Sequence, residues 1–275
     1  MSKRFHKKLF VLLFFLAGIS ATFNAQTIDT IYINADSITD KAISLTDVWR
    51  YHPGDDSSWA SPSFDDSNWD TLNTKMVIEE LPEGTWKGIG WFRTVIKIDS
   101  SLRFKAIAFE DWQNGASEFY LNGRLIKKLG DIGNDTLTET PHLQKGIPFA
   151  VVLDSSTIYV LAVRYSNKIA IDDEKWFRAW FDYIGFYLKV RAIDESILKK
   201  VNNERTTLGV NIGIAGLFLA LFLLYISLFI FYSDKKENLY FALFNFSISV
   251  IFFASMVSRY IESDLTAISL INAFT

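Results

Sequence analysis

Three short stretches set an indole beside carboxylates or amides. They are Asp55, Asp56, Ser58 and Trp59; Glu110, Asp111, Trp112, Gln113 and Asn114; and Asp172, Asp173, Glu174, Lys175 and Trp176. A flat apolar ring covers the C–H face of a sugar, and acids or amides take its hydroxyls. The candidate ligand-binding residues are therefore Trp112, Glu110, Asp111, Asn114, Trp59, Asp55, Asp56, Trp176 and Asp172. Trp112 leads because it directly follows an expected strand at 105–109, where scaffold meets loop. Each stretch also reads as an ordinary solvated loop with its Trp at the core edge. Asp pairs suit a structural calcium ion, but no loop has the ordered ligand spacing of an EF-hand.

Catalytic chemistry has few candidates. Cys is 0, which excludes disulfides, thiolate nucleophiles and Cys-ligated metals. His6, His52 and His142 are the only histidines, and His6 lies in the N-terminal leader. No G-x-S-x-G, H-E-x-x-H or P-loop is present. A carboxylate pair can hydrolyse a glycoside, but acids this numerous single out no pair. No catalytic residue, metal ligand or cofactor is assigned. The formal net charge of −3 argues against a nucleic-acid partner.

The elements that carry these residues fall into three parts. Lys3, Arg4, Lys7 and Lys8 precede the apolar run Leu9 to Ile19, and small or polar residues follow to Ala25. That order predicts a secretory signal peptide over 1–25. Residues 26–190 read as an all-β sandwich. Strands are expected at 91–98, 105–109, 117–121, 124–129, 148–153, 157–165 and 181–190, with no helices between them. Asn122-Gly123 between two strands predicts a type I′ hairpin.

The segment 45–93 carries Trp49, Tyr51, Gly54-Asp55-Asp56, Trp59, Phe64-Asp65-Asp66-Ser67, Trp69, Trp86 and Gly90-Trp91-Phe92-Arg93. With Tyr120-Leu121-Asn122-Gly123 and the strand Tyr159 to Arg164, it resembles the jelly-roll, galactose-binding-like domain attached to family 2 glycoside hydrolases. The resemblance covers about Leu45 to Val190. It implies a jelly-roll fold and a carbohydrate-binding-like surface. It implies no catalysis, because the hydrolase machinery of that family lies in another domain. Asp65, Asp66 and Ser67 read as turn caps, and Trp69 and Trp91 as core.

The C-terminal third is apolar. A stalk over 191–208 precedes an uncharged run at 209–232, a polar turn at 233–238, and a second run at 239–258. Each run is long enough to cross a hydrocarbon core of about 30 Å. Arg259, Glu262 and Asp264 suggest a second turn, with a third helix starting at 265–275 and continuing in a longer protein. Lys235 and Lys236 place the first turn in the cytoplasm. A bacterial inner-membrane, multi-pass protein with its sandwich exported is expected. Ile193, Ile197, Leu198 and Val201 predict one face of a stalk helix continuous with the first span.

This architecture resembles bacterial seven-transmembrane receptors with diverse intracellular signalling modules. The resemblance implies a sensor whose sandwich binds a carbohydrate or protein ligand and signals through helices in the lipid bilayer to an output domain (a histidine kinase, cyclase or phosphatase) beyond these residues. A homodimer is compatible with it. The competing expectation is a membrane-held sugar-binding module, or a fragment of a glycan-processing enzyme.

Overall fold

The computed structural model describes residues 30–47, 49–142 and 144–274. The expected signal peptide lies outside them. Two β-sheets pack face to face, and two long helices follow. One sheet has seven strands: β4 (Asp70–Leu72), β3 (Trp49–Pro53), β5 (Ile89–Ile98), β10 (Ile158–Ser166), β7 (Ala116–Leu121) and β8 (Arg124–Leu129) in that order, with β1 (Ile31–Ile33) pairing in parallel with β5. The other has four: β2 (Ile43–Ser44), β11 (Phe186–Ala192), β6 (Ala106–Gln113) and β9 (Gln144–Val152). Short α1 (Ala35–Asp40) follows β1.

Alternation explains the layers. In β5, Phe92, Ile96 and Ile98 point into the sandwich and are sealed there. Phe186 of β11 meets Trp49, Phe92, Phe119 and Tyr165 at ring-centroid distances of 5.3–6.0 Å. Those four rings come from four strands of the opposite sheet, so this contact joins the two layers. The Asn122-Gly123 hairpin forms as expected: both residues have positive φ, at 49° and 79°.

Three expectations are corrected. Residues 110–113 are not a loop; the strand expected at 105–109 runs on through them, and they are the last four residues of β6. Residues 181–185 are not strand, and β11 begins only at Phe186. The preceding segment instead holds two short helices, α2 (Ile169–Asp172) and α3 (Glu174–Trp180), so Asp172 and Trp176 are helical. Asp173 accepts from the Trp176 amide at 3.2 Å and starts α3.

The long helices are α4 (Ile193–Phe231) and α5 (Lys236–Phe274). No linker separates β11 from α4, so the expected stalk and first apolar run are one helix. Helix α5 runs on without a turn at 259–264, contrary to expectation. No Gly or Pro interrupts it. Ile193–Phe231 and Lys236–Val257 are long and apolar enough to cross a membrane. Leu217, Leu223, Ile230, Phe244, Ile251 and Phe253 all stay more than half exposed. The sandwich leaves these apolar faces uncovered.

Candidate functional site

The strand registers define two ends of the sandwich. At one end β11 hands over to α4, with Ala192 opposite Ile107. At the other, Phe186 lies opposite Gln113, and Ser166 opposite Ile89 and Ala116. The segments 73–88, 130–142 and 167–185 gather at that second end. The first and third of them form a cleft of about 330 Å³, which is at the small end of the range for small-molecule sites, about 300–1,000 Å³.

The cleft has an apolar floor and a charged rim. Trp86, Phe177 and Ile184 line it and are themselves 4%, 1% and 7% exposed. Ile78, Leu81 and Pro82 form one wall. Glu83, Glu174 and Arg178 supply the polar groups. Arg178 donates to Glu174 at 2.6 Å, an exposed i,i+4 pair that a ligand can open at little cost. Hydrogen bonds hold the geometry. The Trp86 indole donates to the Asn167 carbonyl at 3.0 Å, and the Asn167 amide donates to the Ile184 carbonyl at 3.0 Å. The Ile184 amide donates to the Met76 carbonyl, also at 3.0 Å. Beside the cleft, Lys168 donates to Glu139, Ser166 and the Gly133 carbonyl, which ties the 131–142 segment down.

The three sequence candidates do not converge. Asp172 and Trp176 lie closest to the cleft without lining it. Asp172 accepts from the Thr136 hydroxyl. Trp176 is 47% exposed and Trp180 71%. At 3.6 residues per turn, both sit on the side of α3 away from Glu174, Phe177 and Arg178.

Asp55, Asp56 and Trp59 belong to a strap over the outer face of the larger sheet. Asp55 pairs with Arg164 at 2.5 Å, and this hydrogen bond holds its carboxyl below the usual range. Arg164 also pairs with Glu118, which accepts from Tyr120; burial and this acid push the Tyr120 phenol up to about 12. Asp56 caps the short 3-10 turn at 57–60. Trp59 packs against His52, Trp69 and Trp91. These contacts give all three residues a structural role.

The third stretch is inside the smaller sheet. Glu110 is 6% exposed and pairs with Arg191 at 3.2 Å while accepting from Ser196 at 2.5 Å. Asp111 is fully buried in the sandwich. Trp112 is half-buried on the outer face, 5.4 Å from the Tyr187 ring, with the Lys189 ammonium 5.2 Å from its own centroid. The Asn114 side chain donates to the Tyr183 carbonyl at 3.4 Å. Glu110 and Asp111 are thus closed to a ligand. Glu83, Trp86 and Arg178 were not sequence candidates. The turn Pro82-Glu83-Gly84 ahead of Trp86 was the one local signal of a site there. Among the described residues, no group of three or more acidic or histidine side chains could hold a metal.

No protein-family model matches the chain, and no curated protein matches it. Among solved structures it is similar to a glycosyl hydrolase family 2 member from Bacteroides cellulosilyticus DSM 14838, at 20% identity over 55% of this chain and 21% of that one, with a TM-score of 0.37. It is also similar to a β-glycosidase from Bacteroides vulgatus (22% identity, 55% and 20% coverage, TM-score 0.35). A third similar structure is Bacteroides uniformis β-glucuronidase (18% identity, 55% and 18% coverage, TM-score 0.38). The chain spans about a fifth of the length of these structures.

Proposed function

We propose that this chain is a membrane-held binding module of jelly-roll, galactose-binding-like type. Its cleft between 78–86 and 170–184 takes a carbohydrate. The carrying observation is the cleft's composition, an apolar floor of Trp86, Phe177 and Ile184 under a rim of Glu83, Glu174 and Arg178. A sugar has that same division between C–H faces and hydroxyls. Helices α4 and α5 hold the module at a bilayer, the solvent suited to their exposed apolar side chains. The direct test is a glycan array probed with the full chain in detergent. Glu174→Gln should weaken any hit about tenfold, the loss expected for one charged hydrogen bond. Unchanged affinity in Glu174→Gln and Glu83→Gln would remove the cleft from the reading.

A second reading, a sensor that signals across the bilayer, is favoured by one observation. Helix α4 starts at Ile193, directly after the last residue of β11, and Glu110 holds Arg191 and Ser196 together in a buried cluster. A tilt of the sandwich would therefore pass into the helix without a flexible joint.

A further inference from the structure

The lining of the cleft is unbalanced in charge. Its charged side chains are Glu83, Glu174 and Arg178. Arg178 donates through Nε to Glu174 at 2.6 Å, so these two are neutral as a pair. Glu83 is left over. It is exposed, and no ion pair among the described residues engages it.

The backbone that carries Glu83 is nevertheless fixed. The Thr85 amide donates to the Pro82 carbonyl at 3.2 Å, which closes a four-residue turn. Gly84 has φ 77° and takes the position that a type II turn reserves for glycine. The Tyr51 phenol, from the core of the sandwich, donates to the Thr85 carbonyl at 2.9 Å. The turn thus presents Glu83 at the rim, two residues after Leu81 and three before Trp86, with its carboxylate unengaged.

The walls carry the same sign. Segments 78–86 and 170–184 hold seven acids and two bases, Lys175 and Arg178. Asp172 and Asp173 are occupied by Thr136 and by the start of α3. Asp182 is exposed where the walls meet, since its carbonyl accepts from the Ile78 amide at 3.1 Å. Of the lysines just outside the walls, Lys75 lies over the Tyr183 ring at 5.6 Å and Lys168 is paired with Glu139. On a convex surface these acids would be an ordinary solvated face. Here they border an apolar floor, and a cleft of one charge sign with low-dielectric walls concentrates its field.

Three classes of sugar meet this rim differently. A neutral hexose can donate hydroxyls to Glu83 but leaves its charge uncompensated. A uronic acid sets a second negative charge beside it. A protonated amine brings three N–H donors and the missing charge, and hydrogen bonds between charged partners are the strong ones. We propose that the sugar of this cleft is an amino sugar with a free amine, and that Glu83 selects it. The amine lies against Glu83 while Trp86 and Phe177 take the C–H side of the ring. This rests on the reading of the cleft as a carbohydrate site and narrows it to one class.

The test is an array that prints hexosamine glycosides as free amines and as their N-acetylated twins, in gluco, galacto and manno configurations, beside neutral hexosides and uronides. Acetylation removes the charge and keeps the ring. The full chain in detergent should bind a free amine about tenfold more tightly than its twin, the gain expected of one charged hydrogen bond. The preference should shrink as salt rises. Glu83→Gln should bring the twins together without changing the melting temperature. Arg178→Gln frees Glu174 for the amine, so it should tighten free-amine binding. Asp154→Asn, an exposed acid at the end where β9 finishes, should change nothing.

Equal or tighter binding of the N-acetylated twin, a neutral hexoside or a uronide overturns the proposal and leaves the cleft a carbohydrate site. A free-amine preference that survives Glu83→Gln, or that Asp154→Asn weakens equally, also overturns it, because the charge then acts from elsewhere. So does weaker free-amine binding in Arg178→Gln. Spermidine, a polyamine without a sugar ring, should not displace the bound amino sugar at equal charge. Displacement would show attraction to charge alone. An array with no bound sugar of any class removes the carbohydrate reading itself, and this proposal with it.

Discussion

The Arg93 guanidinium, 2% exposed, binds Asp66 at 2.7 Å and the carbonyls of Trp59, Ser61 and Phe64. It fastens the 54–69 strap to the outer face of the larger sheet, and Trp69 and Trp91 fill the space beneath. The Phe64-Asp65-Asp66-Ser67 motif is thus a fold device: Asp65 caps the Ser67 amide at 3.0 Å, and Asp66 takes the guanidinium. Arg93→Ala leaves a half-buried acid and three carbonyls without their donor, which costs about 3 kcal/mol. At roughly 2–4 °C per kcal/mol, melting of the full chain should fall by about 10 °C, whereas exposed Arg124→Ala should barely move it. Equal effects of the two would remove the strap's structural role. The motif was readable as capping residues, but its guanidinium partner was not, because 27 residues separate Asp66 from Arg93.

At the scale of elements, the β7–β8 hairpin depends on backbone sterics. Gly123 has φ 79°, and an added Cβ would lie 3.3 Å from Pro62 Cδ. Gly123→Val should destabilise by more than about 1–2 kcal/mol, the cost of one L-residue in the left-handed region. Gly123→Asn should recover most of that, since Asn tolerates positive φ. Chemical denaturation of the two variants checks the order, and equal stability would contradict the turn type. Helices α2 and α3 escaped the sequence because they have only four and seven residues, too few for a 3.6-residue period to show. The 181–185 segment looked extended, yet it turns to bond with 74–78: the Phe186 and Gly185 amides donate to Thr74 and Lys75 carbonyls. An added Cβ at Gly185 would sit 1.9 Å from the Thr74 carbonyl oxygen, so only glycine allows this approach.

For the whole molecule, the prediction concerns sidedness. Cysteines at Ser155, in the turn before β10, and at Ser233, between α4 and α5, should label differently in intact cells with an impermeant maleimide. Ser155 should react from outside. Ser233, beside Lys235 and Lys236, should be protected until the membrane is opened. The reverse pattern would invert the orientation. The Glu110–Arg191–Ser196 cluster also ties β6 and β11 to the first turn of α4.

The amino-acid order alone determined whatever depends on neighbours in the chain. Alternation marked the central strands, Asn122-Gly123 the hairpin, and two uncharged runs the C-terminal helices. Tertiary structure decided which polar residues are buried. Glu110, Asp111 and Trp112 are consecutive and look alike as loop residues. In the sheet they point alternately, so Glu110 goes beneath α4, Asp111 into the core and Trp112 to the outer face. The cleft was equally hidden, because its walls come from 78–86 and 170–184. Contacts across some 90 residues arise when packing closes the end of a sandwich, and they leave no period or spacing in the chain.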